Sequence, residues 1–141
     1  MTDVQTATAA VRALQKFLEL ETIDEARELI DEDRYLVLTD KEADEEASRI
    51  IIDSLWAFNS SFIADHVLNV DDYDSLLKSI ESIQEQCEGA NDAIRAMIQN
   101  VEDFAEDAIS CDGRGHFINH YDGSENEETI DSEVFYIYRI N

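Results

Sequence analysis

Apolar residues recur at helical spacing over most of this chain and at strand spacing only near its end. Val4, Ala7, Val11, Leu14, Phe17 and Leu18 stand three or four apart and predict one amphipathic helix from about Asp3 to Leu20. Thr22 and Glu25 have capping-box spacing and open a short helix to about Asp31 that buries Ile23, Ala26, Leu29 and Ile30. Tyr35–Leu38 is a brief apolar run that reads as extended. Thr39 and Glu42 repeat the capping-box spacing and open a helix to about Phe58, with Ala43, Ala47, Ile50, Ile51, Leu55 and Phe58 on its apolar face. A turn or short helix covers Ser60 to Leu68.

Asp71 or Asp72 caps the next helix, whose stripe is Tyr73, Leu76, Leu77, Ile80, Ile83 and Cys87, with Gly89 as its C-terminal cap. Asn91 caps a last helix carrying Ile94, Met97, Ile98, Val101, Phe104, Ala105, Ala108 and Ile109. The short link predicts an antiparallel helical hairpin. Beyond Gly113 the pattern changes. His116–Tyr121 alternates weakly and Val134–Ile140 is strongly β-prone, so two antiparallel strands are expected, joined by a long acidic loop over Asp122–Glu133. Tyr136 and Tyr138 are expected to face away from a core side formed by Phe135 and Ile137. The pattern predicts a single domain over 1–141, α+β and mainly helical, with about five helices and a C-terminal β-hairpin.

Composition narrows the function classes. The chain has 141 residues, 34 acidic and 10 basic, and a formal net charge of -24. With 44% hydrophobic residues it can build a core. No apolar run is long enough to span a bilayer, and no basic region followed by an apolar stretch marks a secretory signal at the N-terminus. A cytoplasmic location, in the host cell if phage-encoded, is expected, with Cys87 and Cys111 reduced. Nucleic acid and anionic lipid are opposed electrostatically, so neither is an expected partner.

The placement of the acids matters more than their number. Glu21 and Glu25, Asp24 and Glu28, Glu28 and Glu32, Glu42 and Glu46, Glu81 and Glu85, Glu102 and Glu106, and Asp103 and Asp107 are like-charged pairs at i,i+4. Each costs about 0.2–0.5 kcal/mol in an isolated helix. Glu45 with Arg49 and Asp74 with Lys78 are the favourable pairs. Acids in first helical turns gain from the helix dipole, but Glu102, Asp103, Glu106 and Asp107 are predicted late in their helix, where they do not. Such charge suits a solvated surface, adaptation to high salt, or mimicry of a polyanion. Carboxylates on successive turns lie about 5–6 Å apart, comparable with phosphates along one DNA strand. The two expected partner-binding faces are Glu81, Glu85, Glu88, Glu102, Asp103, Glu106 and Asp107, and alternatively Asp24, Glu28, Asp31, Glu42, Asp44, Glu45 and Glu46.

The segment Cys111–Gly123 holds the densest set of reactive side chains. Cys111, His116 and His120, with Asp112 or Asp122, are candidate metal ligands, but on a strand the two histidines would stand about 13 Å apart. Gly113-Arg114-Gly115 offers a phosphate loop without the Walker spacing, and Cys111 with either histidine a nucleophile without an evident activating cation. The plainer reading is a structural turn, in which Arg114 and Arg139 neutralise nearby acids. Trp56, Phe58 and Phe62 are expected in the core. No metal or cofactor is expected.

Read as DGRGHFINHYD from Asp112 to Asp122 and as YIYRIN from Tyr136 to Asn141, the chain resembles small acidic proteins of tailed phages and prophages. In these a Gly-Arg-Gly-His-Phe block precedes Tyr-Asp-Gly and a terminal aromatic strand; Leu55–Asn59 is similar too. The resemblance covers the last two-thirds of the chain. It implies a phage context and assigns no catalytic residues. It also implies inhibition of a host restriction, CRISPR or other nucleic-acid enzyme, in some cases by imitating DNA. The expected function is therefore non-enzymatic: an inhibitor that binds a basic nucleic-acid-binding protein of the host. The alternatives are a metal- or ligand-binding protein or enzyme centred on 111–122, and a phage structural or assembly protein that self-associates through the hairpin, with a homodimer allowed.

Overall fold

Helix-forming stripes, caps and one β-prone terminus produce an α+β fold. The computed structural model describes the backbone over residues 3–141 and side chains from Thr8 onward. Val4 and Ala7, expected on the first stripe, lie outside the described side chains. The helices are α1 (Asp3–Leu18), α2 (Ile23–Asp31), α3 (Asp40–Asp53), α4 (Ser60–Ala64), α5 (Tyr73–Gln84), α6 (Asn91–Met97), α7 (Val101–Asp112) and α8 (Arg114–Ile118). Short 3-10 turns occupy Leu55–Ala57 and Cys87–Ala90. The strands are β1 (Tyr35–Leu38), β2 (Asn126–Ile130) and β3 (Glu133–Arg139). Contacts divide the chain into two compact units, Met1–Ala47 with Asp112–Asn141, and Ser48–Cys111.

In the first unit β3 is the central strand of an antiparallel sheet ordered β1-β3-β2. Tyr35 is paired with Arg139 on one side, and Ile130 with Glu133 on the other. Asp131 and Ser132, both at positive φ, make the two-residue turn between β2 and β3, the backbone hand such a hairpin requires. Val11, Ala13 and Leu14 of α1 meet Ala26, Ile130, Phe135 and Ile137 in one buried cluster, to which Phe17, Ile23, Leu29, Tyr35 and Val37 add. The Thr39 capping box forms in full, Thr39 and Glu42 exchanging side-chain-to-backbone bonds at 2.9 and 3.3 Å, and Thr22 caps α2 by accepting from the Glu25 N–H at 3.3 Å.

The sheet differs from the expected hairpin. His116–Ile118 lies in α8, and the strand paired with β3 is Asn126–Ile130, inside the stretch expected as loop. Only one face of β2 is covered: Glu127 and Thr129 are exposed, while half-buried Glu128 shares the face of Ile130 and lies 3.4 Å from Lys16. Tyr138 is fully buried rather than facing outward.

The second unit departs from sequence periodicity at three helix ends. The helix expected to reach Phe58 stops at Asp53, where the Ser54 hydroxyl donates to the Ile50 carbonyl at 2.6 Å. Asn91 does not cap its own helix. Its amide donates to the Ile52 carbonyl at 2.8 Å and accepts from the Trp56 N–H at 3.2 Å. Gly89 is not a left-handed cap either; Cys87, at φ 54, makes that turn after α5. The helix expected over 91–109 breaks at Ile98, which is extended and bridges to Val67. Asn100 then caps α7 by accepting from the Asp103 N–H at 3.2 Å. The expected two-helix hairpin is thus three helices in series, and with the short α4 and α8 the helices among the described residues number eight. As expected, Asp72 caps α5 by accepting from the Ser75 N–H at 3.1 Å. The buried side chains here include Ile51, Leu55, Ile63, Ile80, Ile94 and Phe104. Phe104 packs edge-on against Phe58 and Phe62 at 5.0 and 4.9 Å between ring centres.

Gly115 tests the packing of the C-terminal turn. A Cβ there would stand 2.4 Å from the Gly123 carbonyl oxygen and 2.8 Å from Ser124 C, both backbone. Gly115→Ala is expected to cost about 1–3 kcal/mol in urea unfolding, as overpacking does. At Gly89 the nearest contact of an added Cβ is Gln86 Cβ at 3.9 Å. Gly89→Ala is therefore expected to be neutral, or stabilising by up to about 1 kcal/mol.

Candidate functional site

Two groups of residues drew functional readings: the C-terminal cluster and the acidic faces. The cluster is built around Arg114, which Gly113, at φ 85, delivers to the first position of α8. Its Nη1 donates to Asp40 Oδ1 at 2.9 Å, to the Asp40 carbonyl at 3.0 Å and to Asp44 Oδ1 at 3.1 Å. Its Nε donates to Glu125 Oε1 at 2.8 Å. The guanidinium lies 4.6 Å from the centre of the Tyr136 ring, and the buried Tyr138 hydroxyl donates to the same Glu125 oxygen. The Arg114 side chain is only 11% exposed. Burial by itself would lower its pKa, but the hydrogen bonds to Glu125 and Asp40 outweigh it, and the guanidinium is held firmly protonated. Burial, then the bond to Glu125, pushes the Tyr138 phenol up, so it remains a neutral donor.

The following loop is equally occupied. Buried Asn119 donates from Nδ2 to the Ser124 carbonyl at 3.0 Å and accepts at Oδ1 from the N–H groups of Tyr121 and Asp122, each at 3.0 Å. Asp122 accepts from the Ser124 hydroxyl at 2.7 Å and from its N–H at 3.0 Å, and these bonds hold its carboxyl below the usual range. Arg139 lies 3.8 Å over the Tyr121 ring. The guanidinium that a phosphate loop would offer is thus bonded within the protein. His116 and His120 are exposed, His116 edge-on to Phe117, and Cys111 is exposed. Among the described residues no three His, Cys, Asp or Glu side chains are grouped so as to hold a metal ion.

The two acidic faces fall in different compact units. On the first, Asp24, Glu28 and Asp31 belong to α2, and Glu42, Asp44, Glu45 and Glu46 to α3. Much of this set is engaged locally. Asp24 lies 3.6 Å from Arg27, Glu45 3.8 Å from Lys41, Asp44 is bound by Arg114, and Glu42 accepts from the Thr39 N–H.

In the second unit, Glu81 belongs to α5, Glu85 is its C-cap and Glu88 lies in the following 3-10 turn. Glu102, Asp103, Glu106 and Asp107 belong to α7, and all seven residues are exposed. One expectation is corrected. Because the helix restarts at Val101, Glu102 and Asp103 stand in a first turn, where the dipole favours them. Glu81 and Glu85 are the ones placed against the dipole, in a last turn that contains no base. Glu81 accepts from the Ser60 hydroxyl at 3.3 Å, and Asp107 lies 3.0 Å from His66 Nε2. The sequence did not reveal this last pairing, because His66 reaches α7 only once α4 and α7 are packed through Phe62 and Phe104.

No protein family, no curated protein and no solved structure matches the chain. Among the described residues no helix is long and apolar enough to cross a membrane.

Arg114→Met removes the cation that compensates three carboxylates and is expected to cost about 2–3 kcal/mol in urea unfolding. Arg114→Lys should recover less than half of that, since a point charge replaces the planar fork. For Asp122 the folded-state pKa lies below the unfolded value, so its stabilisation is complete above about pH 4 and is lost as the pH falls through the folded value. Asp122→Ala is therefore expected to lower the unfolding midpoint at neutral pH, with the gap to wild type narrowing in acid titrations.

Proposed function

We propose that this chain is a non-enzymatic inhibitor that lays an acidic helical face on the basic nucleic-acid-binding surface of a partner protein, its carboxylates standing in for DNA phosphates. The face that best suits this role is Glu81, Glu85, Glu88, Glu102, Asp103, Glu106 and Asp107. One observation carries the reading: Ser48–Cys111 holds 13 acidic side chains against three lysines and arginines, and α5 ends on acids without a base in its last turn. Local stability would select the opposite. Glu102 with Glu106 and Asp103 with Asp107 form rows one helical turn apart, about 5–6 Å, on a helix anchored by buried Phe104, Ala105 and Ala108. Such an anchored row supplies phosphate-like spacing without the ordering cost of a flexible acidic tail. The α2 and α3 acids serve this role less well because Arg27, Lys41 and Arg114 already neutralise part of them.

The test is capture of basic nucleic-acid enzymes on the immobilised chain, followed by competition of each purified partner with duplex DNA over a salt series. Binding should be displaced by DNA, and its logarithm should fall linearly with that of the salt concentration. Replacing Glu85, Glu88, Glu102, Asp103 and Glu106 by Lys should abolish binding with the circular dichroism spectrum unchanged. Replacing Asp24, Glu28 and Asp31 by Lys should weaken it far less. Equal loss from both sets, or binding that DNA does not displace, removes this reading.

A further inference from the structure

Among the described residues four large hydrophobic side chains are exposed: Leu68, Val70, Tyr73 and Tyr121. Tyr121 stands apart in the chain and carries the Arg139 guanidinium on one face of its ring. The other three fall within six residues of one another and are 58%, 37% and 43% exposed. Scattered exposed apolar residues are ordinary, but a group of this kind on so charged a chain is not.

The segment is held in place rather than loose. Val67 bridges to Ile98, and the Gln99 N–H donates to the His66 carbonyl at 2.9 Å. These bonds hold the segment that leads into Leu68 against the link between α6 and α7. Asn69, at φ 59, turns the chain between Leu68 and Val70 in a conformation that Asn tolerates. The Tyr73 hydroxyl is tethered to the Ser61 carbonyl at 3.4 Å and to Asp65 Oδ1 at 3.2 Å, leaving its ring at the surface. Asp65, Asp71, Asp72 and Asp74 surround the group along the chain, and no lysine or arginine lies between Arg49 and Lys78.

An apolar centre with a polar, single-signed rim is the layout of a protein interface. The charge selects the occupant. Nucleic acid and anionic lipid are repelled, and a second copy of this chain would bring the same carboxylates against these. We propose that Leu68, Val70 and Tyr73 are the apolar anchor of a docking surface rimmed by Asp65, Asp71, Asp72 and Asp74, and that its occupant is a basic protein surface carrying apolar side chains. The inference rests on the proposed function and deepens it: the acids supply attraction and speed, and the anchor supplies affinity that salt does not screen.

Two synthetic peptides of equal length and lysine count provide the probe, one with leucine and one with serine at helical spacing between the lysines. Fluorescence anisotropy with the full chain at high salt should show about tenfold tighter binding of the Lys/Leu peptide. The variant Leu68→Ser/Val70→Ser, at exposed positions and with its fold checked by circular dichroism, should lose that preference and keep its affinity for the Lys/Ser peptide. Equal binding of the two peptides by wild type, or a preference that survives in the variant, overturns the anchor and leaves the acidic reading standing. Failure to bind either peptide even at low salt overturns both. A concentration-dependent dimer in sedimentation that the variant abolishes would assign the patch to a second copy and overturn the proposal.

Discussion

The first unit depends on one guanidinium. Arg114 joins the start of α3, the start of α8 and the loop before β2, segments up to 74 residues apart in the chain. On a protein with so many carboxylates, the scarce bases determine which segments can approach one another. A side chain with a planar fork can satisfy Asp40, Asp44 and Glu125 at once, and its face remains free for Tyr136. Lysine could not reproduce that geometry. The Tyr138 phenol completes the arrangement by donating to the same Glu125 carboxylate from inside the core, so the polar hub and the hydrophobic sheet face meet at one oxygen.

The remaining bases follow the same economy. Arg12, Lys16, Arg27, Arg34 and Lys41 of the first unit each lie within 4 Å of an acid, and Arg139 lies over one face of the Tyr121 ring. Exposed pairs of this kind add little stability one by one. Together they lower the repulsion that a surface of one sign imposes. The second unit has fewer bases for its acids and builds its core from aromatic packing among Phe58, Phe62, His66 and Phe104. Its surplus of charge stands where helix dipoles resist it at the end of α5, and next to the apolar segment 68–73.

This contrast carries the functional synthesis. In the cluster around Gly113 and His116, the richest in reactive residue types, Arg114, Asn119 and Asp122 hold a turn. The carboxylates of α5 and α7 are exposed, although Glu81 meets Ser60 and Asp107 meets His66, and Leu68, Val70 and Tyr73 expose apolar surface in the same unit. The proposed binding of a basic protein surface would give both features a use.

Secondary structure was legible wherever the signal was local. The caps at Thr22, Thr39 and Asp72, the stripes of α1 and α2, and the β-prone terminus depend on neighbours within a few residues, so the sequence alone determined them, whereas Tyr73 and Cys87 of the expected α5 stripe are exposed. The α+β class followed from those signals. Tertiary contacts decided the rest. Ile98 leaves a helical stripe to pair with Val67, Asn91 serves α3 instead of its own helix, and Asn126–Ile130 becomes a strand because β3 offers it a partner. The acids could be counted from the sequence, but their neutralisation could not. Whether a carboxylate meets Arg114 or remains bare depends on residues far along the chain, and only the folded protein brings them within hydrogen-bonding distance.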